Sequence, residues 1–409
     1  MKKEFIKKLC LFLGGVLLTF PSYSQYSWTQ KANFTGAARY YSVGFSIGHY
    51  GFIGLGFKNS TLYNDFYKWS QASNTWTSIA SYPGGGKESP IAFSIGGYGY
   101  VGLGYGSSVN TDLWRYDTAT NAWTQMASLP GAGRYDETWF VIGHKAYVIG
   151  GSPGGTPYLQ DVWMYDSHQN TWTQMNNSPL GKFDGGVGFA IGNHGYIAGG
   201  DDGLGGVTNS CYEYDTTSDT WTAVSSFPIS NTPTGDARAF VIGSKAYVCT
   251  GTVNTGHTLS TGYVYDTVTK AWSEFTNMGS VGIERGYCAA FSIGQNGYIG
   301  TGQDSLGNIL TSFWEYGTTT GIENLHSSVN VTIYPNPNNG MINLVYSGNI
   351  QKGELEITDL MGRVLDSHKM IGSKGQMTIN ETALSNGMYF YQITDSGKIL
   401  TSGKFIITK

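Results

Sequence analysis

Charged residues are scarce in this chain: Lys, Arg, Asp and Glu together make up 13% of its 409 residues. That scarcity excludes a disordered polyelectrolyte and an array of solvated helices. Cysteine is nearly absent. Four residues without CxxC spacing exclude a disulfide framework and a cysteine-based zinc site. Cys211, Cys249 and Cys288 fall within apolar strand patterns, where buried free thiols are expected. Long apolar runs are lacking too. The stretch Leu9–Phe20, 12 residues, is too short to span a bilayer comfortably. The net charge of −4 provides no basic surface for nucleic acid. What abounds is glycine, 59 residues, and aromatics, 14%. This is the composition of many short strands joined by tight turns.

Residues 1–24 read as a signal peptide. Lys2, Lys3, Lys7 and Lys8 precede the apolar run, and Pro21-Ser22-Tyr23-Ser24 supplies small residues before a cleavage expected between Ser24 and Gln25. Cleavage removes four Lys and one Glu, so the net charge moves from −4 to −7. No transmembrane segment is expected in the mature chain.

Six copies of one pattern fill residues 25–321. Each has an apolar strand ending in Ile-Gly, at Gly48, Gly96, Gly143, Gly192, Gly243 and Gly294. A second strand ends in glycine 8 residues later (48→56, 143→151). A third strand carries an aromatic, and in the first five copies a fourth opens with Trp 7 residues after it (Tyr116→Trp123, Tyr165→Trp172). The sixth copy stops at Phe313–Tyr316, and the missing fourth strand stands at the other end of the chain as Tyr26-Ser27-Trp28-Thr29. An array completed by its own N-terminus is a closed ring. A four-stranded repeat of this period is a propeller blade. Length varies only between strands two and three and between blades, so all variation falls on one face. That face is the expected binding face. Asn74, Asn121, Asn170 and Asp219 mark the tight turns of the other face.

Charge concentrates just before the innermost strands. The six windows lying 10 to 5 residues before each Ile-Gly glycine hold 12 of the 33 charges in residues 25–321, three times the random share. They contain Arg39, Lys87, Glu88, Arg134, Asp136, Glu137, Lys182, Asp184, Asp236, Arg238, Glu284 and Arg285. The expectation is a charged funnel at the mouth of the central channel. Its arginines suit carboxylates, phosphates and sulfates, and its acids favour a ligand of mixed polarity. The bland reading is that each base braces a neighbouring loop.

The repeat resembles the kelch family. Gly150-Gly151, Tyr165 and Trp172 match its pattern fully, as do Gly199-Gly200, Tyr214 and Trp221. Copies one, two, five and six keep only the second glycine, and copy one has Trp69 in place of Tyr. The resemblance implies a fold far more than a function. Kelch propellers include protein-binding adaptors, sialic-acid epimerases and copper oxidases. No Tyr–Cys and histidine set matches the oxidases. Glu137 and Glu284 are the candidates for general acid or base if the chain is an enzyme of the epimerase kind. Asp201-Asp202 can be read as a Ca²⁺ loop, and an exposed polar loop is the simpler reading. No cofactor and no metal site are expected.

After a Thr/Gly-rich linker at 317–321, residues 322–409 read as short alternating strands, expected as a small Ig-like β-sandwich. Tyr334-Pro335-Asn336-Pro337, Asp359-Leu360-Met361-Gly362-Arg363, Leu384-Ser385-Asn386-Gly387-Met388-Tyr389 and the terminal Lys404–Lys409 resemble the C-terminal sorting domain of the type IX secretion system of the Bacteroidetes. The resemblance implies handling by that machinery, passage through the outer membrane, and release or surface attachment. The expectation is therefore an all-β chain: a six-bladed kelch-like propeller at 25–316 closed by its N-terminal strand, then the sorting domain. Its expected role is binding a glycan or protein at the cell surface, with a carbohydrate-active enzyme as the alternative.

Overall fold

The computed structural model describes residues 26–202, 206, 208–228, 233–235, 237–253, 258, 262–275, 283–318, 329–359, 363–395 and 398–409. The expected signal peptide, its cleavage site Ser24/Gln25, most of the linker and Asp236 lie outside the described residues. The chain divides into two compact units, Met1–Thr318 and Thr319–Lys409.

The first unit is a six-bladed β-propeller. Six four-stranded antiparallel sheets each run in chain order from inner to outer strand, except the last. There Tyr26–Lys31 pairs with Phe313–Thr318, with Trp28 opposite Tyr316. The same register sets Trp123 opposite Tyr116 and Trp172 opposite Tyr165 in complete blades. The N-terminal strand therefore fills an ordinary outer position. The third strand of blade six runs on through Gly317 and Thr318, two residues expected in the linker, because Tyr26 and Ser27 pair with them. The six inner strands pack side by side in a closed circle around the central channel.

One device repeats in the core. The phenylalanine of each inner strand stacks on the aromatic of its second strand, as in Phe45–Phe52 at 4.8 Å and Phe93–Tyr100 at 5.3 Å. The next blade must leave room for that ring. A Cβ at Gly99 would stand 2.2 Å from Phe45, and one at Gly195 2.2 Å from Phe140. Glycine at these positions is a packing requirement between blades.

A second device pins neighbouring blades at the constant face. Asn121 and Asn170 adopt left-handed backbone, at φ 51° and 53°. Short polar side chains tolerate that conformation and bond locally. The Asn121 Oδ1 accepts the Tyr116 hydroxyl (2.8 Å) and the Ala80 N–H of the preceding blade (3.0 Å). The Trp123 indole returns a bond to the Ala80 carbonyl (2.9 Å). Trp76, Trp172 and Trp272 make the equivalent bond to Ala32, Ala127 and Ser225. Trp76, Trp123, Trp172 and Trp272 are thus buttresses between blades, whereas among the described residues the Trp28 and Trp221 indoles make no such bond.

The glycine pair that ends the second strand also has a conformational basis. Gly150 and Gly151 both have positive φ, 62° and 95°. In copies one, two and six the first position is Leu55, Leu103 or Thr301, held left-handed at φ 56°, 56° and 62°. These fully buried side chains fill core space at some backbone cost.

The second unit is a single five-stranded antiparallel sheet. Met341–Thr358 and Val364–Asn380 are long strands with register shifts. The first half of Met341–Thr358 pairs with Val329–Tyr334, and its second half with Gly387–Asp395. Ile342, Leu344, Leu355, Ile357, Phe405 and Ile407 share one apolar core. In place of the separate short strands expected, two long strands are shared along this sheet. Alternation alone does not reveal when two strand patterns run on into one another.

Candidate functional site at the channel mouth

Four of the predicted funnel bases do not face the channel. Arg39, Lys87, Arg134 and Arg285 are fully buried. The Arg134 Nε donates to the Ala132 carbonyl (3.0 Å), Nη1 to the Gly150 carbonyl (3.1 Å), and Nη1 and Nη2 to Asp161 (2.8 and 2.9 Å). Arg39 repeats this on Ala37, Leu55 and Asp65. Lys87 pairs with Asp112, and Arg285 bonds the Ile283, Thr301 and Ser312 carbonyls and the Ser312 hydroxyl. Each base ties the approach to the inner strand to its own blade. Burial raises the pKa of Asp65 and Asp161, but the arginine hydrogen bonds and charge outweigh it and hold both carboxyls below their usual range. The partners stand at the start of the third strand, far in sequence, which is why a local window read these bases as ligand contacts.

The remaining charges form a different surface. Eight residues before each Ile-Gly glycine, Tyr40, Glu88, Tyr135, Asp184 and Gly286 bridge to the residue after the second strand, respectively Phe57, Tyr105, Ser152, Asp201 and Gln303. The next residue in each lip, Tyr41, Ser89, Asp136, Gly185 or Tyr287, is left-handed, at φ 46° to 64°. Backbone bonds join these lips between blades: Tyr41 N–H to the Tyr287 carbonyl (2.8 Å), Ser89 to Tyr41 (3.3 Å), and Gly185 to Asp136 (2.8 Å). Bulky residues in this conformation are outliers of the kind that cluster at functional sites.

The lip has two halves. On one side Tyr40, Tyr41, Phe57 and Tyr287 pack as an aromatic group, with Tyr41 and Tyr287 centroids 4.4 Å apart. On the other stand the half-buried acids Glu88, Asp136, Asp184 and Asp201. Burial first, then the charges of Asp136 and Asp201, push Asp184 up to about 7, and Tyr158 hydrogen-bonds it. Burial and Asp136 raise Glu88 as well. Glu137 is buried beneath the lip, and among the described residues no other side chain hydrogen-bonds its carboxylate oxygens. Burial raises its pKa well above the usual range, against its own backbone hydrogen bond and the nearby charges of Arg134 and Arg238.

Below the lip the channel narrows to a cavity of about 70 Å³. Four residues before each Ile-Gly glycine stand Gly44, Ala92, Trp139, Gly188, Ala239 and Ala290, and all six line it. Five are small, and Trp139 fills the space they leave. Its indole donates to the Ala92 carbonyl (3.0 Å), and the Arg238 guanidinium of blade five lies 5.1 Å from its ring. Arg238 is thus the one base of the predicted set that lines the channel cavity. Trp139 was missed because tryptophan in this repeat otherwise marks outer strands. Its register, Gly or Ala in every other copy, was the available signal.

Lys182 lies elsewhere, in an open groove with Thr156, Pro157, Leu180 and Asp202. Glu284 is half-buried with its Oε2 unpartnered. Asp202 is exposed, with its Oδ1 accepting the Gly206 N–H at 2.8 Å. Cys211, Cys249 and Cys288 are buried free thiols.

Residues 138–324 match the family model described as the KLHDC2/KLHL20/DRC7 Kelch-repeats domain, and residues 332–408 that of the Secretion system C-terminal sorting domain. Among solved structures, the one described as "Structure of YjhT" is similar with a TM-score of 0.58 at 19% identity, over 68% of this chain and 95% of that one. At that identity the likeness speaks for the fold alone. No curated protein matches this chain.

Proposed function

We propose that this chain, a kelch-repeat propeller followed by a secretion sorting domain, is a surface or secreted binding module whose ligand seats on the channel mouth. The sorting domain points to export, and among the described residues no helix is long and apolar enough to cross a membrane. The single observation that carries the reading is the lip itself. Tyr41, Tyr287 and Asp136 are held in left-handed backbone around one opening, tied blade to blade by backbone bonds, with the half-buried carboxyls of Glu88 and Asp184 in the same lip. With four bases turned inward, the accessible charge there is mostly acidic. Tyrosine faces beside carboxyls suit a hydroxyl-rich glycan or a basic protein segment, and not the anionic sugar that a ring of exposed arginines would select.

The test is binding by the full chain on a glycan array and to basic peptides, followed by titration of Tyr287→Ala and of Glu88→Gln with Asp184→Asn. Binding weakened at least ten-fold, with a cooperative thermal melt showing that each variant is folded, is the expected result. Unchanged affinity in both variants overturns the site.

A carbohydrate-active enzyme is the second reading, supported by Asp184, pushed up to about 7, and by the buried Glu137 below it, whose pKa is raised as well. Turnover of a sugar that Glu137→Gln abolishes while binding persists would establish it over simple binding.

A further inference from the structure

The seven histidines are scattered in sequence, but the fold brings two of them together on blade three, at the end opposite the mouth. His144 stands in the turn between the first and second strands, His168 in the turn between the third and fourth. Ser167 locks the turns side by side, donating its N–H (3.0 Å) and hydroxyl (2.9 Å) to the His144 carbonyl. The two imidazoles stack with centroids 4.2 Å apart and planes 3° from parallel. Asp166 completes the group. One ligand atom from each of the three residues lies within 4.8 Å of the others.

We propose that His144, Asp166 and His168 form a surface site for a first-row transition metal ion such as Zn²⁺. Asp166 has one oxygen in structural use and one to spare. Its Oδ1 accepts the N–H groups of His168 (2.9 Å) and Gln169 (3.2 Å). Asp117 and Asp266 close the same turn in their blades through Oδ1, and Asp215 through Oδ1 and, from the Ser218 hydroxyl, Oδ2. The Oδ2 of Asp166 instead faces the His144 Nε2 at 3.5 Å.

The histidines are not needed by the repeat. At the position of His144 the other copies have His49, Gly97, Asn193, Ser244 and Gln295, and at that of His168 they have Ala72, Ala119, Thr217 and Val268. Blade three is the one copy with histidine at both. Two imidazole nitrogens and one carboxylate oxygen match Zn²⁺, Ni²⁺, Co²⁺ and Cu²⁺, whereas Ca²⁺ and Mg²⁺ take all-oxygen sites. Stacked rings point their nitrogens side by side. The exposed His168 ring turns about its side-chain bonds to close on the ion, while His144 stays against Asp166. Open positions on the ion go to water, and Lys145 beside Asp166 keeps the affinity moderate.

The experiment is calorimetric titration of the tag-free full chain with Zn²⁺ and, separately, with Ca²⁺. A second group in the sorting domain, Asp366, His368 and Glu381, offers a competing set, so stoichiometry is the readout. Wild type should bind at least one Zn²⁺ that His144→Ala and His168→Gln each lose or bind at least ten-fold more weakly, with no such site for Ca²⁺. His168 is exposed, so its variant is expected to fold, and its thermal melt checks this. Zn²⁺ binding identical in wild type and both variants, or no binding to wild type, overturns the site.

Discussion

Arg134 lays both guanidinium nitrogens against the two carboxylate oxygens of Asp161, at 2.8 and 2.9 Å, with the arginine side chain fully out of solvent. The pair is a strut inside blade three. Arg134→Ala leaves Asp161 without its counter-charge and should cost about 3–5 kcal/mol. Arg134→Met combined with Asp161→Leu should recover most of that loss. Urea unfolding of the three proteins is the check. A single variant as stable as wild type would return Arg134 to the list of ligand contacts.

Lys270 occupies the left-handed turn position, φ 52°, that Asn74, Asn121, Asn170 and Asp219 hold in other blades. The partner that those side chains satisfy is then missing. Tyr116, Tyr165 and Tyr214 bond Asn121, Asn170 and Asp219, whereas the buried Tyr265 hydroxyl has no hydrogen-bond partner among the described residues. Lys270→Asn should restore the bond and relieve the turn, stabilising the propeller by about 1 kcal/mol or more. A melting temperature at or below that of wild type refutes this account.

Asp184 carries a pH dependence of definite sign. Its folded pKa, about 7, lies above the ordinary carboxyl value of 3.8. The folded state therefore holds the proton more tightly than the unfolded chain. The stabilisation is full below about pH 4 and is lost as pH rises through about 7. Asp184→Asn should gain on wild type as pH increases, with urea midpoints of the two proteins diverging between about pH 4.5 and pH 8. Parallel midpoints across that range would mean that the carboxyl is ordinary.

Removal of residues 322–409 should leave the propeller in the periplasm. The matched sorting domain spans 332–408, and the propeller closes on itself through Tyr26–Lys31 without it. Fractionation of cells expressing the truncated and full chains reads the outcome. Normal export of the truncated chain would deprive the tail of its role.

Spacing in the sequence was enough to number the blades, to predict the closing strand and to separate a constant face from a variable one. These features rest on local chemistry that recurs at fixed intervals: glycine where the chain turns left-handed, asparagine in tight turns, and tryptophan at the same strand position. The tail's motifs were equally local. The funnel was not legible in the same way. Arg134 and Asp161 are 27 residues apart, so nothing near the arginine announces that its charge is already spent. Glu137 and Asp184 differ from ordinary carboxyls because of what surrounds them, and His144 and His168 meet because two turns of one blade share an end.

The sequence by itself determined the ring, because a repeated pattern whose last strand lies at the first end has one way to bury every apolar face. Only the tertiary structure decided which charges face the channel. Orientation depends on partners brought in from the far side of each blade, and buried bases pair with the nearest acid the fold supplies. What remains at the mouth is a lip of tyrosines and half-buried carboxyls above a channel that Trp139 fills.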